Sequence, residues 1–324
     1  MIILFLSDFV PTQKLRLDPS FRLLLARADK IVFNLEASPK LDQSSNMAQI
    51  MPFDIGVVLN FFNQFGKEKF IVALANNHIL DNGIYAFDKL VSIFDQNGIE
   101  YFGTKDKPYV LMNNTIAILN FVTAETVARI SSKSRLNYLF YDGKEINQQI
   151  GLLESRGIAR ILYPHWGRDM DVKVFKTYHH QLRISRDKWF IFGHHPHLIS
   201  GVSKNEVYSL GNTFIPHPFY YQKYPGVRYG LALMLDTSSQ IYDTYLTQVK
   251  SNDNFKNDFL LVSESFKQIP EEVLLQSQHF PKLKKIVLWI LEFRGNWTDF
   301  IRLWVLQLLT IIFAIRINRL NNDR

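Results

Sequence analysis

Residues 190–202 read FIFGHHPHLISGV. An apolar run ends at Gly193, and His194, His195 and His197 then fall within four positions. A short apolar run bounded by glycine has the pattern of a buried strand. A single imidazole at such an end is ordinarily a core or loop histidine with its hydrogen bonds satisfied. Three together, in a chain with 9 histidines, ask for another reason. Neutral imidazole nitrogen is the commonest protein ligand for transition metals, and a strand end can aim alternate side chains at one point. The stretch therefore predicts a strand that ends at a metal site, provided other ligand residues arrive at the same place.

Working outward, IILFL, KIVFNLE, FIVALAN, YVLMNN, TIAILNF, RILYPHW and KWFIFGHH all have strand character, rich in β-branched and aromatic residues. Between them DPSFRLLLARA, FDIGVVLNFFNQF and IYAFDKLVSIFDQNG have helical spacing, with an Asp-Pro start on the first and Gly98 as a stop on the last. Strands alternating with helices predict an α/β fold with a largely parallel sheet covered on both faces. In such sheets ligands gather outside the carboxyl ends of the strands. Those ends carry Asp8, then Asn34 and Glu36, then Asn76, Asn77, His78 and Asp81, then His165. Taken singly, each is an ordinary cap or turn residue. Successive strand ends that all carry oxygen or imidazole ligands favour a divalent metal, with manganese, iron or zinc suited and copper(I) disfavoured by the lack of soft ligands.

Composition sets the outer limits. The 324 residues, 47% hydrophobic, suffice for one large α/β domain with an appendage. With no cysteine, neither disulfides nor thiolate metal sites are possible. A net charge of +7 favours an anionic partner such as phosphate, an acidic polymer or a lipid surface. Nucleic acid is not expected, because the charge is scattered and no base-reading motif appears. The opening MIILFLSDFV has no basic leader or small-residue cleavage site and is taken as the first buried strand.

The motifs SD ending at Asp8, NLE at 34–36, LANNHILDNG at 74–83, HWGRD at 165–169, GHHPH at 193–197 and YSLGN at 208–212 resemble the ordered set of the bacterial capsule-synthesis CapA, or poly-gamma-glutamate synthesis, family. That family is related to the calcineurin-like metallophosphoesterases. The resemblance covers roughly residues 1–245. It implies a four-layer α/β/β/α sandwich with a centre for one or two divalent ions at the strand ends. It implies Asp8, Glu36, Asn77, His165, His195 and His197 as metal ligands, with Glu36 bridging, and places His194 beside the ligands rather than among them. It also implies His78 as proton donor. Asp81, three residues on, could orient that ring; Arg168 could steady a substrate anion or be simply a solvated loop residue, and Asn212 could line the pocket or form a turn. Val10 stands where many metallophosphoesterases carry a histidine, and Ser7 where the capsule family usually has glycine.

The expected domain spans residues 1–250, closing with a sheet edge over 230–246, and is followed by a helical, amphipathic appendage over 251–324. The longest uncharged run there, Leu303 to Ile315, would span about 20 Å as a helix, against a hydrocarbon core of about 30 Å. Trp289, Trp297 and Trp304, flanked by Lys282, Lys284, Lys285, Arg316 and Arg319, suit an anionic membrane surface, and packing on protein is the competing expectation. Two functional classes follow. One is a metal-dependent hydrolase of a phosphoester or polymer linkage at the cytoplasmic face of a membrane. The other is a non-catalytic component of polymer assembly or export, working with capsule-assembly proteins.

Overall fold

A computed structural model of the chain describes residues 1–40, 52–123, 126, 143–156, 158–170, 189–203, 205–255 and 258–265. All of them belong to one compact unit, Met1–Leu275. A second unit, Gln276–Arg324, lies outside the described residues, and with it most of the expected appendage 251–324, including the segment 282–324 expected to face a membrane or pack on protein. Among the described residues no helix is long and apolar enough to cross a membrane.

In chain order the described strands are β1 (Ile2–Phe9), β2 (Leu15–Leu17), β3 (Lys30–Asn34), β4 (Ser38–Pro39), β5 (Pro52–Phe53), β6 (Phe70–Ala73), β7 (Glu100–Phe102), β8 (Tyr109–Met112), β9 (Ile116–Leu119), β10 (Ala159–Leu162), β11 (Phe190–Phe192), β12 (Ile199–Val202), β13 (Glu206–Leu210), β14 (Asn212–Phe214), β15 (Tyr229–Asp236), β16 (Ile241–Lys250) and β17 (Phe259–Ser265). The helices are α1 (Pro19–Arg27), α2 (Ile55–Phe65), α3 (Ile84–Asn97), α4 (Gly143–Glu154) and α5 (Pro218–Lys223).

Two sheets carry the fold among the described residues. The first runs β2-β17-β16-β15-β1-β3-β6-β7, with β14 pairing the end of β1, and the second runs β12-β13-β11-β10-β9-β8. Strands β1, β3, β6 and β7 are parallel, as are β9, β10, β11 and β13. Both sheets are nevertheless mixed, because β15 lies antiparallel to β1 and β12 antiparallel to β13. The segment expected to close the sheet as an edge, 230–246, instead forms β15 and most of β16 in its interior. The sheet continues past residue 250 into β17, which pairs with β16 and β2.

Period-two alternation along the strands builds the layers. From β1, Ile3 and Phe5 enter a core shared with Val32, Ile71, Ile118, Ile161 and Phe192, drawn from both sheets. Leu4 and Leu6 point the other way, into a core with Phe21, Leu25, Val58, Phe62, Leu90 and Phe94 of α1, α2 and α3. In β9, Ala117 and Leu119 face Ile146, Ile150 and Leu153 of α4. The result is helix, sheet, sheet, helix: the four-layer α/β/β/α architecture.

Local chemistry sets the helix limits. Asp18 caps α1 by accepting from the Ser20 N–H at 2.8 Å, with Pro19 at the first helical position. Asp54 caps α2 by accepting from the Gly56 N–H at 2.8 Å and the Val57 N–H at 3.4 Å. Gly98, left-handed at φ 67°, ends α3.

Candidate metal centre

The parallel strands of both sheets end at one place, and the polar residues buried there are not scattered. Asp8, Asn34, Glu36, Asn76, His165 and His194 are fully buried, and His195 and His197 nearly so. Asp8 lies next to last in β1, opposite Asn34 of β3 and Asn212 of β14, and the pairing register shifts beside it on both sides. Such irregularities re-aim side chains at strand ends. From the second sheet, His165 continues the line of β10 through single bridges to Val122 and His194.

Regular strand geometry stops at Phe192, and the histidines sit on a sharply turned loop. His195 has φ 97° and His197 φ 60°, conformations costly to non-glycine residues and concentrated at functional sites. The loop is held from several directions. The His195 N–H donates to Asp8 Oδ2 at 3.3 Å, and the Met170 N–H donates to the Pro196 carbonyl at 3.0 Å. At Gly193 an added Cβ would lie 2.1 Å from the Tyr208 carbonyl and 2.4 Å from Trp166 Nε1, so only glycine admits the close approach.

Two neighbouring groups of ligand-type side chains result: Asp8, His165 and His194, and Glu36, His195 and His197, with the ligand-type atoms of each group within 4.8 Å of one another. His194 Nδ1 lies 3.2 Å from Asp8 Oδ1 and 2.8 Å from His165 Nδ1. On its other side His165 Nε2 lies 2.6 Å from Asn77 Oδ1 and 3.6 Å from Glu36 Oε1. His197 Nδ1 lies 2.8 Å from Asn212 Oδ1, 3.7 Å from Asp8 Oδ2 and 3.9 Å from Glu36 Oε2. Asn34 braces the first group, donating to Asp8 Oδ1 at 2.7 Å while its own carbonyl accepts from Asn76 Nδ2 at 3.1 Å.

Electrostatics favour a cation here. Burial pushes the Asp8 carboxyl up, but the His194 hydrogen bond, the charges of His194 and His197 and the Asn34 hydrogen bond outweigh it and hold the pKa down to about 2. Burial pushes His195 down to about 3, and burial reinforced by the neighbouring imidazoles pushes His165 well below the usual histidine range. Both rings are thus neutral, the state that binds metal. Burial and the charge of Asp8 raise Glu36 well above the usual carboxyl range. Neither Glu36 oxygen, nor His194 Nε2, nor His195 Nδ1 has a hydrogen-bond partner among the described residues. Buried polar atoms without partners are costly, and Glu36 Oε1 and His195 Nδ1, 3.8 Å apart, are placed where a shared divalent ion would satisfy both. The residues present therefore fit one or two hard or borderline divalent ions.

The expected ligands Asp8, Glu36, Asn77, His165, His195 and His197 are brought together, and His194 stands inside the cluster rather than beside it. Asn212 contacts His197. Outside the cluster, His78 Nδ1 lies 2.7 Å from Asp81 Oδ2, with both side chains about one-fifth exposed. The His78 backbone is fixed by Asn76 Oδ1, which accepts from the N–H groups of His78 at 3.0 Å and Ile79 at 2.8 Å. Arg168 is exposed on the turn after His165, whereas its neighbour Asp169 faces His197 Nε2 at 3.8 Å. Val10 is buried in the helix-side core. Two participants escaped the sequence-based ligand set: Asn34, visible only as a polar strand end, and Asp169, visible only as the last residue of HWGRD.

A family model described as bacterial capsule synthesis protein PGA_cap matches residues 19–216. The chain belongs to the bacterial capsule synthesis family. The match takes in every clustered residue of this capsule-synthesis chain except Asp8, which precedes it. The capsule biosynthesis protein CapA of Bacillus anthracis is 27% identical over 160 residues, covering 44% of this chain and 39% of that relative. The chain thus spans well under half the length of the curated relative it matches.

Proposed function

We propose that this capsule-family protein is a metal-dependent hydrolase of phosphoester type that acts in the assembly of an anionic surface polymer. The observation that carries this reading is the pair of adjacent ligand groups buried at the strand ends of both sheets, with Glu36 Oε1 and His195 Nδ1, each without a hydrogen-bond partner among the described residues, 3.8 Å apart. Asp8, His165 and His194 would hold one ion and Glu36, His195 and His197 a second, with Asn77 and Asn212 beside them. Bound divalent ions there supply positive charge that polarises a phosphoryl oxygen and makes water acidic enough to act as a nucleophile near neutral pH. His78 lies next to Asn77 in the chain and keeps an accessible ring. Asp81 at 2.7 Å holds its Nδ1, which leaves Nε2 to deliver a proton to the oxygen that departs as the phosphorus–oxygen bond breaks. The strained loop and the glycine at 193 keep the imidazoles in place before substrate arrives, which lowers the reorganisation the reaction requires.

The test is metal analysis of the purified protein alongside hydrolysis of a generic phosphodiester. Asp8→Ala is expected to lose both metal and turnover. His78→Ala is expected to keep its metal while turnover falls about 10²- to 10⁴-fold. Metal without turnover under any condition would instead favour the second reading, in which the centre is structural or binds polymer while other capsule-assembly proteins do the chemistry. One observation supports that alternative: Val10 occupies a fully buried apolar position where related phosphoesterases place a ligand.

A further inference from the structure

The turn after His165 is built against the histidine loop. Gly167, at φ 90°, packs so closely that an added Cβ would lie 3.0 Å from both Pro196 Cγ and Tyr208 Oη. The Met170 N–H closes onto the Pro196 carbonyl at 3.0 Å, and Met170 itself takes φ 56°. Two uncommon backbone conformations within four residues thus fix Asp169 between them, its carboxylate facing His197 Nε2 at 3.8 Å. The other ring nitrogen, Nδ1, looks into the cluster, toward Asn212 Oδ1 at 2.8 Å and toward Asp8 and Glu36.

These two sides of one ring make opposite demands. With no ion bound, a proton on His197 Nδ1 would point at Asn212 Oδ1. To give its Nδ1 lone pair to a cation, the ring must carry that proton on Nε2, where the facing acceptor is Asp169. We propose that Asp169 is a positioning residue that holds His197 in the Nε2-protonated tautomer and so sets the affinity of the centre for its ion. The carboxylate does not itself ligate; it stabilises the form of the ring that does. Asp169 is about one-third exposed, so its removal leaves no cavity in the core.

This inference rests on the metal reading above, and the experiment separates the two. Zinc and manganese are titrated calorimetrically into the metal-stripped full-length protein, and thermal unfolding is followed in chelator, for wild type, Asp169→Ala and Asp169→Asn. Asp169→Ala is expected to keep the wild-type unfolding temperature in chelator and to bind about 10- to 100-fold more weakly. Asp169→Asn still offers an oxygen to the Nε2 proton and is expected to fall between the two. Wild-type protein that binds neither ion would overturn the metal reading itself. Wild type that binds, with Asp169→Ala binding as tightly, would overturn only the role of Asp169. An Asn variant as weak as the Ala variant would trace the loss to charge alone and would likewise overturn the positioning role. Should Asp169→Ala unfold early in chelator, the comparison of Asp169→Asn with wild type decides.

Discussion

His195 reports on the state of the centre through its proton. Its pKa falls from 6.5 to about 3 on folding, and that of His165 falls well below 6.5. Across the window from 6.5 down to about 3 the unfolded chain therefore binds protons that the native rings refuse, so stability drops as pH falls through it. Glu36 works in the opposite sense: its raised pKa keeps a proton on the native carboxyl above 4.5, where the unfolded one has lost it. Two histidines outweigh one carboxyl. The metal-stripped protein is expected to melt at a lower temperature at pH 5 than at pH 7, and His195→Gln is expected to flatten that dependence. A melting temperature that rises on acidification would contradict the assignment. At this scale the sequence was most informative where chemistry repeats at successive strand ends, as from Asp8 to His165. It left open whether His194 or His195 is the ligand, because three imidazoles within four positions match a closing H-x-H pair in more than one way. The chain leaves strand geometry after Phe192, and positive φ at His195 and His197 turns all three rings inward. Asn34 was illegible as an organiser because its role depends on register across β1 and β3, which no local pattern states.

Helices α1, α2 and α3 were readable because their caps and apolar spacing agree, the consistency expected of an unfrustrated segment. In α2, Phe62 is fully buried and stacks on Phe70 with ring centroids 4.5 Å apart. Phe62→Ala is expected to cost about 3–5 kcal/mol, read as a loss of unfolding free energy in denaturant. Asp54→Ala, which removes only the cap, is expected to cost about 1 kcal/mol. Helix α4 carries Ile146, Ile150 and Leu153 on one face, a helical signal present in the sequence. Strand β17 was hidden by the polar stretch before it, SNDNFKND at 251–258, which resembles the end of a domain although the sheet resumes at Phe259. The placement of β15 beside β1 could not be read locally either, because strand order is decided by long-range pairing rather than by the residues of the strand.

For the whole molecule, the net charge of +7 and the tryptophan-rich, basic segment 282–324 bear on where the protein works. We propose that this segment rests on an anionic membrane surface. Deleting residues 280–324 is expected to shift the protein from the membrane to the soluble fraction of a lysate, and the shift is expected to be mimicked by high salt acting on the full-length chain. An unchanged partition would count against attachment.

The centre has a mechanical side as well. Its side chains come from opposite halves of the sandwich: Asp8 lies near the end of β1 and Glu36 follows β3 in the first sheet, and His165 and His195 follow β10 and β11 in the second. Any ion gripped by both sets acts as a rivet through the seam, and the stability gained by binding is spread across the two sheets it joins. Chelation would therefore loosen amide protection at the ends of β1 and β10 together, a coupled slackening that a site confined to one sheet would not produce.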